Sequence, residues 1–343
     1  METRKLQTVG GGTYTVSIPK DWARENSLES GTEVYLFTHT DGSIIVRSTK
    51  RDTDDLADAS IGIDGTDPAL VTRALRAAHA IGFETVTLTP GESFTDEQRR
   101  TARSLVGDLV GTEVLVESAE EITVQNLLSA ADVSVRQSVV QLQFVVLSIN
   151  RTATTAFTDG REDVHDQLRD RADDAERLAG MVARHFNRSL VSLGEVDRLG
   201  ISRPELFDYY DTARQLESVA AMAVDLARVS EHLTEPLPET VAADVHDVAD
   251  ATRQVVDDAA TAVLKGGPDV EMAHEVLDRH DDTLADIAAM EQAVFEADTD
   301  DIDLTATEKC ALVRGLDSLA RTAECGGAIA DVAVRASTRA DHL

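Results

Sequence analysis

The sequence predicts a multidomain α+β protein, with a β-rich module at the N-terminus, a small α/β layer in the middle and a C-terminal all-α domain of two three-helix bundles. Three observations predict it. Alternating β-branched residues are concentrated in the first fifty positions; strand-like and helix-like stretches alternate up to about residue 125; and apolar residues at three-to-four spacing fill the rest. A composition rich in Ala, Val and Leu, with only 4% aromatic residues, also suits helix bundles better than sandwiches or barrels. A chain of 343 residues has room for several cores, and the boundaries fall at 1–51, 59–125, 126–235 and 236–343.

In the first segment Lys5–Val9 and Thr13–Ile18 read as strands around Gly10-Gly11-Gly12, and Pro19, which has no N–H to donate, ends the pairing. Lys20–Glu25 reads as one or two helical turns. Glu33–Thr38 and Ser43–Arg47 form strands on either side of a tight turn at Asp41-Gly42. So few large side chains make a poor solitary core, and interleaving with a second copy would remedy the shortage.

After an acidic connector, Asp52–Asp58, the middle segment reads as a βαβαβ-type layer. Its elements are strand Ser60–Asp64, helix Asp67–Ile81, strand Phe83–Leu88, helix Thr95–Leu109 and strand Thr112–Val116, with Glu121–Val124 closing a hairpin. Thr95 and Gln98 form a capping-box pattern. This segment has no phosphate-loop glycines, nucleophile elbow or metal spacing, and reads as a spacer or effector domain. Beyond it Leu128, Val135, Leu142 and Ile149 recur every seven residues. Breaks near Asp159-Gly160, Ser192–Pro204, Thr234–Pro238, Gly266–Pro268 and Asp298–Asp303 divide the segment into six helices. Leu216–Leu226 resembles Leu319–Ile329 at an offset of 103, so the six read as three helices repeated.

Net charge is −31, from 63 acids against 32 bases. Such a coat repels nucleic acid and suits a salt-rich cytoplasm, where screening removes carboxylate repulsion. Residues 1–51 escape it: seven bases (Arg4, Lys5, Lys20, Arg24, Arg47, Lys50, Arg51) against six acids give +1, which leaves −32 for the remainder. Neither a membrane-length apolar run nor a signal peptide is evident, so the expected location is cytoplasmic, not membrane-embedded. Cys310 and Cys325 share one helix without a CxxC and read as buried small hydrophobes in a reducing compartment.

The first segment resembles the AbrB/SpoVT family of swapped-hairpin DNA-binding domains. The resemblance rests on Arg4-Lys5-Leu6, a glycine turn, Val16-Ser-Ile-Pro19-Lys20, a short helix through Trp22 and Arg24, Leu28 with Gly31, and the hairpin Asp41-Gly42-Ser-Ile-Ile-Val46. It implies a homodimer, or a higher homo-oligomer, of interleaved hairpins that binds double-stranded DNA. Arg4, Lys5, Lys20 and Arg24 would face DNA, with Thr13 and Tyr14 at the turn. The family's usual Gly-Arg or Gly-Gln turn is replaced by Gly10-Gly-Gly-Thr-Tyr14, so its sequence preference does not transfer. The triple-glycine loop could offer backbone N–H groups to phosphates. High salt weakens phosphate contacts, shifting weight to base-edge or shape readout. A purely dimerising β-module is the plainer alternative.

The helical segment resembles the PhoU family of phosphate-uptake regulators, through Leu127–Arg136, Ala213-Arg-Gln-Leu-Glu217-Ser-Val-Ala, Ser318-Leu-Ala-Arg321-Thr-Ala-Glu324, Asp173–Arg177 and Asp281–Asp286. That family can hold metal through carboxylates four apart on one helix face. Here the pattern is degraded: Ala221 stands where Glu217 needs a partner, Ala320 replaces the acid before Glu324, and only Asp282 and Asp286 keep the spacing. These four are the candidate metal ligands, and no other cofactor is implied. His274 and Asp278 read as a solvated helix face. No Ser/His/Asp or Cys/His arrangement occupies a catalytic turn, so no enzyme is expected. The sequence points to a DNA-binding regulator tied to phosphate; the alternative is an adaptor that contacts a phosphate transporter or signalling kinase while the N-terminal module only dimerises.

Overall fold

A computed structural model describes residues 3–38, 42–48, 56–161, 164–267, 269–296 and 304–340. The chain divides into two compact units, 1–55 and 56–343.

Among its described residues the N-terminal unit holds two antiparallel hairpins and one short helix. β1 (Gln7–Val9) pairs with β2 (Thr13–Thr15) across the triple glycine, α1 spans Lys20–Glu25, and β3 (Tyr35–Thr38) pairs with β4 (Ile44–Arg47). β2 stops three residues short of the expected Ile18, because β1 offers only three partners; Val16 and Ile18 stay exposed. β3 begins at Tyr35 rather than Glu33. Asp41, Lys50, Arg51 and the connector up to Asp55 lie outside the described residues.

In the second unit the middle layer is a four-stranded mixed sheet. β5 (Asp58–Ile63) runs parallel to β6 (Thr85–Pro90), and β7 (Thr112–Glu117) and β8 (Ile122–Asn126) follow, in the order β5-β6-β8-β7. A βαβαβ reading would set the third strand beside β6. Instead β8 turns back and takes that place, because Ile122 and Val124 are buried whereas β7 carries Glu113 and Glu117 and suits an edge. The layer also starts earlier than expected, since Leu56 is buried and Asp58 already pairs with Thr85.

Helices α2 (Pro68–Ile81) and α3 (Asp96–Asp108) cover one face of this sheet, packing Val71, Leu75, Leu105 and Val106 on Val86, Leu88 and Ile122. Asp67 caps α2 through the Ala69 amide at 2.9 Å. Thr95 and Gln98 make the expected reciprocal box on α3.

The helical region has the expected two bundles. The first comprises α4 (Val135–Thr158), α5 (His165–Val191) and α7 (Arg203–Ser230); the second comprises α8 (Glu239–Leu264), α9 (Val270–Glu296) and α10 (Ala306–Ala340). A short α6 (Leu193–Leu199), capped by Ser192, fills the break expected as irregular chain. Leu128 lies before α4 and packs over Gly111, so it is not part of the heptad stripe; Val135, Leu142 and Ile149 are buried. The break expected at Asp298–Asp303 and Pro268 lie outside the described residues.

Each bundle sets its first and third helices against their counterparts, α4 on α8 and α7 on α10. Polar ties mark this seam: Arg253 donates to Asn150 Oδ1 at 3.2 Å and Thr154 Oγ1 at 3.3 Å, and Arg335 pairs with Asp211 at 2.9 Å. At Gly326 α10 comes so close to α8 that a methyl group would strike Val255 at 2.7 Å. Thr305 and Glu308 form a capping box at the start of α10, and Thr234 donates to the same carboxylate at 2.7 Å. Cys310 is exposed and Cys325 half-buried, against the expectation that both are buried.

Candidate nucleic-acid interface and a buried joint in the second unit

The N-terminal unit has charges and apolar side chains but no interior. No described residue up to Ser48 is buried. In the β3–β4 hairpin Leu36 stands opposite Val46 and Ile44 opposite Thr38, which makes an apolar face where Leu36 is 64% and Ile44 65% exposed. Phe37 and Ile45 occupy the other face, with the Arg47 guanidinium 5.7 Å above the Phe37 ring. A two-stranded hairpin with apolar groups on both faces cannot sustain itself in water.

Arg4, Lys5, Thr13, Tyr14, Lys20 and Arg24 are all exposed. Arg4 and Lys5 lead into β1, Thr13 and Tyr14 open β2, and Lys20 and Arg24 stand four apart on one face of α1. Arg24 lies 3.7 Å from Asp21, an ion pair exposed enough to yield to a phosphate.

The candidate metal ligands do not converge. Glu217 lies on α7 beside Arg214, Asp282 and Asp286 are exposed on α9, and Glu324 is exposed on α10. Among the described residues no three His, Cys, Asp or Glu side chains come close enough to hold a metal ion.

The second unit contains a site that sequence reasoning missed, a buried joint between the middle layer and the first bundle. The carbonyl end of α2, where backbone acceptors and the negative pole of the helix dipole gather, points at α5. Arg184 donates to the His79 and Phe83 carbonyls at 3.0 Å each, Asn187 to Ala80 at 2.9 Å, and Arg188 to Gly82 at 2.6 Å. Gly82 ends α2 at φ +108°, and any Cβ there would lie 2.3 Å from Arg188 Cγ, so both the turn and the approach of Arg188 require glycine.

Glu195 of α6 balances these cations. It is 1% exposed, as is His185, whose Nδ1 lies 2.6 Å from it; Arg188 Nε donates to it at 3.1 Å. Burial works against its charge, but His185 and Arg188 outweigh burial and hold the carboxyl below its ordinary range. Arg184 is lowered to about 10 by burial and then by Arg188, and stays cationic at neutral pH. The sequence signal was Arg184 and Arg188 four apart, followed by Glu195 next to a helix break.

His79 belongs to the same joint. Burial first, then Arg184, lower it from 6.5 to about 4, against a smaller raising effect of the Val110 backbone. The folded state therefore binds fewer protons than the unfolded one between these values, so stability is intact above pH 6.5 and falls as pH drops toward 4. At 1.36 kcal/mol per unit, the loss approaches about 3 kcal/mol. Denaturation midpoints at neutral pH and near pH 4.5 should diverge for the native chain, and His79→Gln should narrow the gap.

Residues 7–54 match the family model for MazE, described as antidote-toxin recognition and as a bacterial antitoxin. The match covers most of the N-terminal unit, which is therefore similar to MazE over its two hairpins and the helix between them. No curated protein is significantly similar to the chain. Among the described residues, no helix is long and apolar enough to cross a membrane.

Proposed function

We propose that this chain is a cytoplasmic, non-catalytic transcriptional regulator that binds double-stranded DNA as a homodimer or higher homo-oligomer. Its N-terminal hairpins interleave between two copies, and its helical repeats, similar to PhoU, carry information on phosphate supply. One observation carries most of this reading: of the four sequence segments, residues 1–51 alone escape a net negative charge, and their described residues include exposed apolar hairpin faces and exposed Arg4, Lys5, Lys20 and Arg24. A second copy would cover Leu36 and Ile44 and supply strand partners for Val16–Ile18, and pairing two cationic surfaces strengthens their hold on a phosphate backbone.

The phosphate assignment rests on the repeated three-helix architecture and on fold-level analogy. The balance of charge favours a regulator over an adaptor, because an adaptor's dimerising module has no need of a cationic exception. Mapping bound DNA across the genome with phosphate plentiful and then scarce tests the proposal. Discrete sites whose occupancy changes with phosphate support it. Uniform absence of DNA, with a transporter or kinase copurifying instead, overturns it in favour of the adaptor.

A further inference from the structure

Beside the buried joint, α2, α3, α5 and α7 enclose an open cleft of about 300 Å3, at the lower end of the range for small-ligand sites. We propose that this cleft binds a small phosphate-bearing metabolite with an apolar or aromatic body. The inference goes beyond the DNA-binding reading and does not depend on it.

The first argument is the convergence of cations. Three guanidinium groups reach the cleft from three different helices, Arg76 from α2, Arg177 from α5 and Arg214 from α7. Each leans on a nearby carboxylate: Arg76 on Glu176, Arg177 on Asp174, and Arg214 on Glu217 at 3.4 Å. The side chains of all three pairs are partly exposed, so these contacts contribute little and can be exchanged. A phosphate group, which accepts bidentate hydrogen bonds from arginine, is the stronger partner.

The second argument is the floor. Gly180 lies in the interior of the 27-residue α5, where glycine is unfavourable relative to alanine, and it lines the cleft. A Cβ added there would meet nothing within 4 Å, so packing does not require this glycine. It keeps the cleft deep, and Leu105 and Leu109 supply an apolar wall for a ligand body.

Carboxylates line the cleft too, which raises the opposite possibility of a cationic ligand. Among the described residues, however, they do not group closely enough to hold a metal ion. Glu176 and Glu217 already face arginines, and Asp108 and Asp173 are solvent-exposed. Burial also raises the Glu217 carboxyl above its ordinary range, which makes it the acid most easily neutralised when an anion takes Arg214.

The test is calorimetric titration of the full chain, without DNA and at low ionic strength, with adenosine monophosphate, inorganic phosphate, citrate, spermidine and magnesium as separate probes. Saturable binding of adenosine monophosphate is expected, tighter than that of phosphate or citrate. Gly180→Leu fills the floor while improving helix propensity, and should weaken binding at least about tenfold with no fall in melting temperature. Arg76→Ala and Arg214→Ala should each weaken it similarly. Binding of spermidine or magnesium alone, no binding of any anion, or anion binding that Gly180→Leu leaves unchanged would each overturn the proposal.

Discussion

Glu195→Ala is expected to destabilise the second unit by about 3–5 kcal/mol, the cost of breaking a buried ion pair by removing one partner. The carboxylate is 1% exposed and faces His185 and Arg188 from a single short helix. Alanine would leave Arg188 and the nearby Arg184 with only the half-exposed Glu84 carboxylate, 3.0 Å from Arg188, as counter-charge, still directed at the carbonyl end of α2. The layer should then separate from the bundle at lower denaturant than the rest of the chain melts, visible as an early transition or as faster amide exchange in α2 and the sheet. Glu195→Gln, which keeps the shape and one acceptor, should fall between alanine and the native chain. Arg228→Ala, which breaks the solvent-exposed pair with Asp225, should change little. A Glu195→Ala chain as stable as the native one would mean that the joint is held by apolar packing alone.

The second large effect is expected at Leu36. In a single chain this side chain is 64% exposed, so aspartate there should cost almost nothing if the chain worked alone. If a second copy covers it, an unpaired carboxylate enters an apolar contact between protomers. Several kcal/mol are then lost, and the dimer weakens about 100-fold or more. Sedimentation of the Leu36→Asp full chain should show monomer at concentrations where the native chain is dimeric, and DNA affinity should fall with it. Phe295→Asp, at an exposed aromatic on α9, is the control and should leave the assembly unchanged.

These predictions concern features of unequal legibility. The helical half could be read because glycine, proline and capping residues punctuate it. Asp159-Gly160, Ser192, Thr234–Pro238 and Gly266 all fall at helix ends, and Thr95 with Gln98 makes the box its spacing implies. The exceptional charge of the first fifty residues was equally plain. Strand order was not, because pairing of β8 with β6 is a non-local choice made by burial of Ile122 and Val124. The joint was hidden for a related reason. Arginines on a long helix read as solvated, and only the arrival of the α2 carbonyls makes Arg184 and Arg188 interior residues. Leu128 fitted a seven-residue stripe by spacing alone, although the helix begins only at Val135. Cys310 was read from its type rather than from its face of α10, which is the exposed one.

The central claim is that Lys20 and Arg24 meet a DNA backbone, and the dependence of affinity on salt tests it most directly. For the full chain, the logarithm of the association constant should fall linearly with the logarithm of salt concentration, by about 0.9 for each phosphate neutralised. In the Lys20→Ala/Arg24→Ala double variant the slope should become shallower by about two per bound protomer, with weaker binding across all sequences. Identical affinities and slopes for the two proteins would contradict the account.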